Sequence, residues 1–424
     1  MAGGLSRGGG AGRRPWRILF VDLAPSPGGS VMSLLHLLGG LDRDRFAPVV
    51  ALSVHNPGVT LFERLGVEVI QIQGHRQGTP EFAPPVQRLR TGRVGQWVQG
   101  RRPLLRVWRA GGMALRLVAR VLPEAWRIAR AVRATGADLV HLNNIVSLNR
   151  AGILAARWTG RPCLCHIRGL NPLEAVDRWL VRWVDYFIFI SEAVRRSQEA
   201  AGVPLAGEVV YNAVDLRAFQ PPVSPEALRR EFGFPPGARV FGMVGRLEPW
   251  KGHRVFLEAL ARLRERHPEA CGLIVGEAET NSPGYPGELR ALADVLGLGD
   301  VVAFAGYRPD ALRLMTGMDA VVHCSTEPEP FGRVIIEGMA AGRPVIGSAA
   351  GAVPEIIQDG VNGLLTPPGD VDALAWAMAR VLEDPAALRW AEAGRQTVLE
   401  RFTVERHVAA IQRIYEQVLG RGNS

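Results

Sequence analysis

Two doubly wound α/β units facing one another across a cleft are what this sequence predicts, on three observations. Short apolar runs alternate with amphipathic stretches from Arg17 onward, the pattern of a parallel sheet covered on both faces. The alternation breaks once, at Asn212-Ala-Val-Asp215 and the proline-rich Pro221-Pro-Val-Ser-Pro225, and restarts at Arg239. The chain, at 424 residues, is also longer than one hydrophobic core usually encloses.

Taken in order, residues 1–15 are glycine- and arginine-rich and lack the long apolar stretch and cleavage site of an export signal. They are expected to be a disordered basic leader on a cytoplasmic protein. The first strand is Arg17–Asp22, followed by a turn through Gly28-Gly29 and a helix Ser30–Leu38 with Ser30 as its N-cap. Strands at Ala47–Ser53, Glu68–Ile72, Asp138–His141, Pro162–Cys165, Tyr186–Ile190 and Glu208–Tyr211 complete a first domain over 16–214. The second, over 215–400, has strands at Val240–Val244, Gly272–Val275, Val301–Phe304, Ala320–Cys324 and Pro344–Ile346, then a helix at Val371–Leu382. Residues 401–420 contain a long amphipathic helix, Glu405–Leu419, expected to pack back on the first domain; 421–424 form a tail. Ligands of such folds lie in the crevice at the carboxyl ends of the strands.

No run approaches the roughly 20 apolar residues that a membrane span needs. Of the four cysteines only Cys163 and Cys165 are close, and no second pair of ligands follows, so buried free thiols are expected rather than zinc. No aspartate pair has metal-binding spacing, so no metal or other cofactor is expected. The formal charge of +9 is concentrated between Arg88 and Arg133, where arginines interleave with Trp97, Trp108 and Trp126 and Glu124 is the only acid. Such a segment fits an anionic membrane surface, where each basic residue contributes about 1 kcal/mol and tryptophans sit at headgroup depth. A solvated arginine-rich face is the other reading. Nucleic acid is not expected, because no helix-turn-helix, RNA-binding sheet signature or zinc finger accompanies the charge.

Among fifty basic side chains one is a lysine, Lys251, within Gly245-Arg246-Leu-Glu-Pro-Trp-Lys251-Gly252 directly after the strand Val240–Val244. A glycine turn carrying a planar guanidinium and a compact ammonium five residues apart can hold a diphosphate. Some eighty residues later Glu329-Pro-Phe331-Gly332-Arg-Val-Ile-Ile-Glu337 places two carboxylates around a glycine at a helix mouth, where they can accept hydrogen bonds from sugar hydroxyls. Gly29, in Gly28-Gly29-Ser30, allows close backbone approach to a ligand at a helix start, although the spacing is not that of a dinucleotide fingerprint. Gly351-Ala352 offers a second nest for an anion. His166 is expected at a strand end facing the cleft, able to donate a hydrogen bond or move a proton; His141 ends the neighbouring strand and is less well placed. Glu277, with Thr280 and Asn281 beside it, could reach a ribose. Each has a bland counterpart: solvated cations, helix caps, or satisfied strand-edge histidines.

In this order and spacing the motifs resemble glycosyltransferase family 4, retaining enzymes of the GT-B fold with two Rossmann-like domains, from Arg17 to about Leu419. The resemblance rests on Gly245-Arg246-Leu247 through Lys251-Gly252, the E-x7-E pair ending at Glu337, and Gly363-Leu-Leu365 after Asp359-Gly-Val-Asn362. It implies that Arg246 and Lys251 meet the donor diphosphate, Glu337 the ribose and Glu329 the transferred sugar. It further implies that His166 contacts that sugar, Gly29 faces the diphosphate, Phe331 and Gly332 line the helix mouth, and the backbone at Tyr307-Arg308 lines the base. The family often has Gly-Gly where Gly351-Ala352 stands, and Glu-Ala-Met where Glu337-Gly338-Met339 stands.

The activity implied is transfer of a sugar from a nucleoside-diphosphate sugar to an acceptor hydroxyl, with retention, on a glycan or glycolipid such as a lipid-linked precursor. Lobe closure would hinge near Asn212 to Pro225 and near Phe402. A nucleotide-sugar hydrolase or epimerase, and a non-catalytic sugar-nucleotide binding protein, are the alternatives. A base pocket of backbone and variable loops leaves the donor's base and sugar unspecified.

Overall fold

The computed structural model describes residues 14–24, 29–54, 56, 58–73, 117–278 and 282–421. The leader through Arg13, Gly28, the basic segment from Arg88 to Arg116, Thr280-Asn281 and the tail 422–424 lie outside them. Short strands rich in valine, isoleucine, leucine and phenylalanine, nearly all buried, make two parallel sheets. The first contains β1 (Trp16–Asp22), β2 (Phe46–Ser53), β3 (Glu68–Ile72), β4 (Leu139–Asn143), β5 (Cys163–Ile167), β6 (Tyr186–Phe189) and β7 (Gly207–Val209), in the order β3-β2-β1-β4-β5-β6-β7. The second contains β8 (Arg239–Val244), β9 (Ala270–Val275), β10 (Val302–Gly306), β11 (Ala320–His323), β12 (Val345–Ser348) and β13 (Leu364–Thr366), in the order β10-β9-β8-β11-β12-β13. Both are doubly wound, and the fold class matches the expectation.

Differences from the sequence reading are local. β4 runs on to Asn143 and β5 spans Cys163–Ile167, so His141 lies mid-strand and His166 is not a strand end. Ser30 is inside the helix Gly29–Gly40 rather than its cap. The three-residue edge strand β13 and the helix Ala387–Arg401 had no assignment in the sequence.

The last helix, Val404–Arg421, lies on the first sheet, with Ile411, Ile414 and Tyr415 fully buried in one cluster with Ile18, Phe20 and Phe46. Gly40 lets it approach: a Cβ there would stand 2.8 Å from a Val408 methyl. Two chain crossings join the lobes and pair with each other, the Val214 N–H donating to Phe402 O at 2.9 Å. Tyr211, Phe331 and Phe402 pack edge-on or tilted beside them with ring centres 5.5–6.1 Å apart. No helix among the described residues is long and apolar enough to cross a membrane.

Candidate active site

Strand order reverses between β1 and β4 in the first sheet and between β8 and β11 in the second, and a reversal opens a crevice at the carboxyl ends of the strands. The segments singled out by sequence leave β1, β8 and β11, so topology alone brings them to these crevices.

After β8 the chain turns at Gly245 and makes a short 3₁₀ turn, Pro249–Lys251, that ends at Gly252 with φ +83°. A Cβ on Gly252 would stand 1.9 Å from the Cys324 carbonyl oxygen, so glycine lets the turn lie directly on the end of β11. Thr326 N–H bonds to Trp250 O at 2.8 Å and fixes the register between the two loops. Lys251 therefore points at the loop after β11. Its ammonium pairs with the Glu329 carboxylate and lies 4.1 Å from the centre of the Trp250 ring.

Glu329 is 7% exposed. Burial alone would push its carboxyl up, but the His323 hydrogen bond and the Lys251 ammonium outweigh that and bring it down to about 2. His323 Nδ1 faces the Ser348 N–H at 3.4 Å and so accepts; Nε2 then carries the proton and faces Glu329 at 3.4 Å. Ser325 Oγ stands 3.3 Å from the same carboxylate oxygen. The Glu329 carbonyl accepts from Ala352 N–H at 2.9 Å, and a Cβ on Gly351 would come within 2.2 Å of it. The expected anion nest at Gly351-Ala352 is thereby corrected: its amide is used to hold the Glu329 loop.

Gly332, at φ +90°, opens the helix Arg333–Ala340. Glu337 in its second turn pairs with Arg333 at 2.9 Å. Arg333 in turn reaches across to the other lobe, facing the Gly29 carbonyl oxygen at 3.4 Å. Phe331 turns its ring into the aromatic cluster at the chain crossings, leaving only its backbone for the helix mouth. Arg246 is half-exposed, 3.3 Å from Glu248. At the rim, Tyr307 is exposed and its N–H faces Glu277 at 3.4 Å, while the Arg308 side chain is held by Asp310 and Glu231.

His166 does not face the open cleft. Because β5 continues past it, strand alternation turns its ring onto the sheet face beneath the last helix, fully buried. Its ring centre is 5.5 Å from that of His141 and 6.1 Å from that of His407. Arg168, two residues further and on the same face, reaches the crevice instead; its guanidinium donates to Asn143 at 2.5 Å and to Asn212 at 2.8 Å. Arg168, Arg333, His323 and Ser325 were missed in the sequence; His323 alone had a signal there, as the last polar residue of β11 before the loop. Among the described residues no three His, Cys, Asp or Glu side chains are grouped as metal ligands.

Residues 27–218 match the family model described as Glycosyltransferase Family 4, and residues 224–397 the one described as Glycosyl transferases group 1. The 2-deoxystreptamine glucosyltransferase of Streptomyces kanamyceticus is 30% identical over 331 residues, covering 71% of this chain and 84% of that one. This chain belongs to the GT-B glycosyltransferases of family 4 and group 1. The lipopolysaccharide core biosynthesis mannosyltransferase LpcC of Rhizobium leguminosarum bv. viciae is 31% identical over 251 residues, 59% of this chain and 69% of that one. The crystal structure of Anabaena HepE in complex with UDP and glucose superposes with a TM-score of 0.76 at 27% identity, over 95% of this chain and all of that one. The glycosyltransferase is a hexosyltransferase-type enzyme that transfers a sugar from a nucleoside-diphosphate sugar to an acceptor.

In this glycosyltransferase the lobes touch directly. Ser191 Oγ donates to Pro330 O at 2.7 Å. The Glu355 carboxylate of the second lobe accepts the Glu192 and Ala193 N–H groups, at 2.9 and 2.6 Å, at the start of the first lobe's helix Glu192–Glu199. A carboxylate there meets unpaired amides and the positive end of the helix dipole.

Proposed function

We propose that this glycosyltransferase uses a UDP-hexose and retains the anomeric configuration, with the donor held by the second lobe and the acceptor presented by the first. The observation that carries the reading is the Lys251–Glu329–His323 cluster beside the mouth of the helix Arg333–Ala340, at the switch point of the second sheet. The choice of UDP is supported by the likeness to HepE, whose crystal structures contain UDP, UDP with glucose, and UDP-glucose.

In the proposed reaction the difficult charge develops on the departing diphosphate. Lys251 and Arg246 meet it, exchanging their internal carboxylates for phosphate oxygens, and the helix-mouth amides at Phe331 and Gly332 add to them. Glu329, held as an anion by His323, cannot serve as a proton donor near neutral pH; it accepts from the sugar hydroxyls and faces the positive charge that grows on the anomeric carbon. Glu337 takes the ribose, Gly29 the diphosphate from the first lobe, and the backbone at Tyr307-Arg308 the base. His166, buried under the last helix, supports the Arg168 side chain rather than touching the sugar.

The acceptor is read as a glycan or glycolipid, with the enzyme peripheral on an anionic membrane at the cytoplasmic face. Trp126 and Leu122 are exposed on the helix Leu122–Thr135, beside Arg127 and Arg130, which supports such contact. Flotation with anionic and neutral vesicles tests it; equal binding to both would remove it.

The donor is tested by measuring hydrolysis and thermal stabilisation with UDP-, GDP- and ADP-sugars. Stabilisation by a UDP-sugar alone is expected, unchanged by EDTA. A preference for GDP or ADP, or loss of turnover on chelation that Mg²⁺ restores, would overturn the corresponding part.

A further inference from the structure

One arginine from each lobe approaches the start of the helix Gly29–Gly40: Arg168, which lies outside the donor-site motifs, and Arg333, which lies inside the E-x7-E segment but has no role assigned there. Arg168 leaves β5 in the first lobe. A guanidinium has five N–H donors. Those of Arg168 make three hydrogen bonds, to Asn143, to Asn212 and, at 3.3 Å, to His166 Nδ1, and none goes to a carboxylate. The nearest acid, Asp22, is taken by Asn143 Nδ2 at 2.6 Å and by the Ala24 N–H at 3.0 Å. Loss of water, opposed by Asp22 and reinforced by the charge of Arg333, pulls the Arg168 guanidinium down to about 9.

Arg333 approaches from the other side. Its Cδ lies 3.8 Å from where a Gly29 Cβ would stand, and its Nε is shielded from solvent yet has no hydrogen-bond partner. Asn143, which accepts from Arg168, faces the Ser30 carbonyl oxygen at 3.4 Å, so residues 29–30 touch Arg333 directly and Arg168 through Asn143. Glu337 offsets the charge of Arg333, but Arg168 hydrogen-bonds to no carboxylate, so two neighbouring guanidiniums with donors left over favour an added anion.

We propose that Arg168 and Arg333 form a clamp, one arm from each lobe, that closes on a phosphate-class anion of the substrate complex. The proposal rests on the donor-site reading above and adds to it, since the cations assigned there, Arg246 and Lys251, both come from the second lobe. A clamp with one arm on each lobe responds to closure: its anion is gripped only when the lobes are together. The anion is either the donor diphosphate or a charged group beside the acceptor hydroxyl, and both present the same oxygens to a guanidinium fork.

Calorimetric titration of the full-length protein tests this with three probes: inorganic pyrophosphate, UDP, and inorganic phosphate added to UDP-saturated enzyme. Arg333→Gln, at a partly exposed position, is expected to lower affinity for at least one of them by about tenfold or more, with partial recovery in Arg333→Lys and little change in melting temperature. Weakening of UDP and pyrophosphate together assigns the anion to the donor. Unchanged UDP with loss of the phosphate that binds after it assigns the anion to the acceptor. If all three affinities stay within about twofold in Arg333→Gln, the clamp is wrong, and a folded Arg168→Gln that binds all three normally would say the same. Lys251→Ala is the separate control: undiminished UDP binding in that variant would remove the donor-site reading and leave the Arg333 comparison intact.

Discussion

The two lobes place their charge at the same topological point in opposite ways. In the second, the cations of the donor motifs each sit beside a carboxylate: Lys251 with Glu329, Arg246 with Glu248, Arg333 with Glu337. In the first, Arg168 is held by neutral oxygens, and the residues behind it are histidines kept uncharged by burial. The second lobe therefore stores cations that a polyanionic ligand can draw out, whereas the first builds a rigid polar floor. Ligand-binding function and fold stability should separate accordingly under mutation.

The largest separation is expected at Lys251. Lys251→Ala should lower kcat/KM by about 10² to 10³ while leaving the melting temperature nearly unchanged, as removal of one preorganised charge at a developing anion does elsewhere. Steady-state kinetics beside calorimetry would check it. A large loss of stability with modest loss of rate would break the comparison. One residue along, Gly252→Ala should act on the fold instead. A left-handed φ of +83° and a carbonyl oxygen 1.9 Å from the new Cβ are expected to cost about 3 kcal/mol, read as a lower denaturation midpoint.

Acid sharpens the contrast on the first lobe's side. Burial first, then the Arg168 charge, brings His407 down to about 4; His36 is likewise down to about 4, chiefly by burial. Both take up a proton in the unfolded chain before they do so in the folded one, so protons favour unfolding. Their contribution is complete above about pH 6.5 and is lost progressively as pH falls toward 4. Melting temperatures between pH 7 and 4.5 should fall, and His407→Gln should flatten the slope. The smallest effect belongs to Tyr415→Phe, which strips the hydroxyl 2.7 Å from His141 Nδ1 and should cost about 1 kcal/mol without altering the donor's KM.

The same contrast explains what could be read from sequence. Groups in the second lobe lie on two contiguous segments, Gly245 to Gly252 and Glu329 to Glu337, where spacing carries geometric information. A strand followed by a glycine turn fixes where the next few side chains go, and the doubly wound order then brings those turns together. The first lobe's polar floor draws Asp22, Asn143, Arg168, Asn212 and His407 from separate places in the chain. Each is an isolated polar residue with no spacing to connect it to the others. The misplacement of His166 has the same origin. Ending the strand at Cys165 turned the next side chain toward the cleft, and two more residues of strand turned it onto the sheet face. Arg333 lies inside the segment Glu329 to Glu337 but carries no spacing signal of its own, and His323, at the end of β11, lies six residues before that segment begins.

That the chain holds a single lysine, packed on Trp250 and tied to Glu329, has a practical consequence. An amine-selective acylating reagent has one side-chain address in the whole protein, and it is the point where the nucleotide is proposed to sit. A lysine-specific protease likewise has one cut to make, at the bond to Gly252. Protection of that single position by a nucleotide would report occupancy directly, without any label having to be introduced.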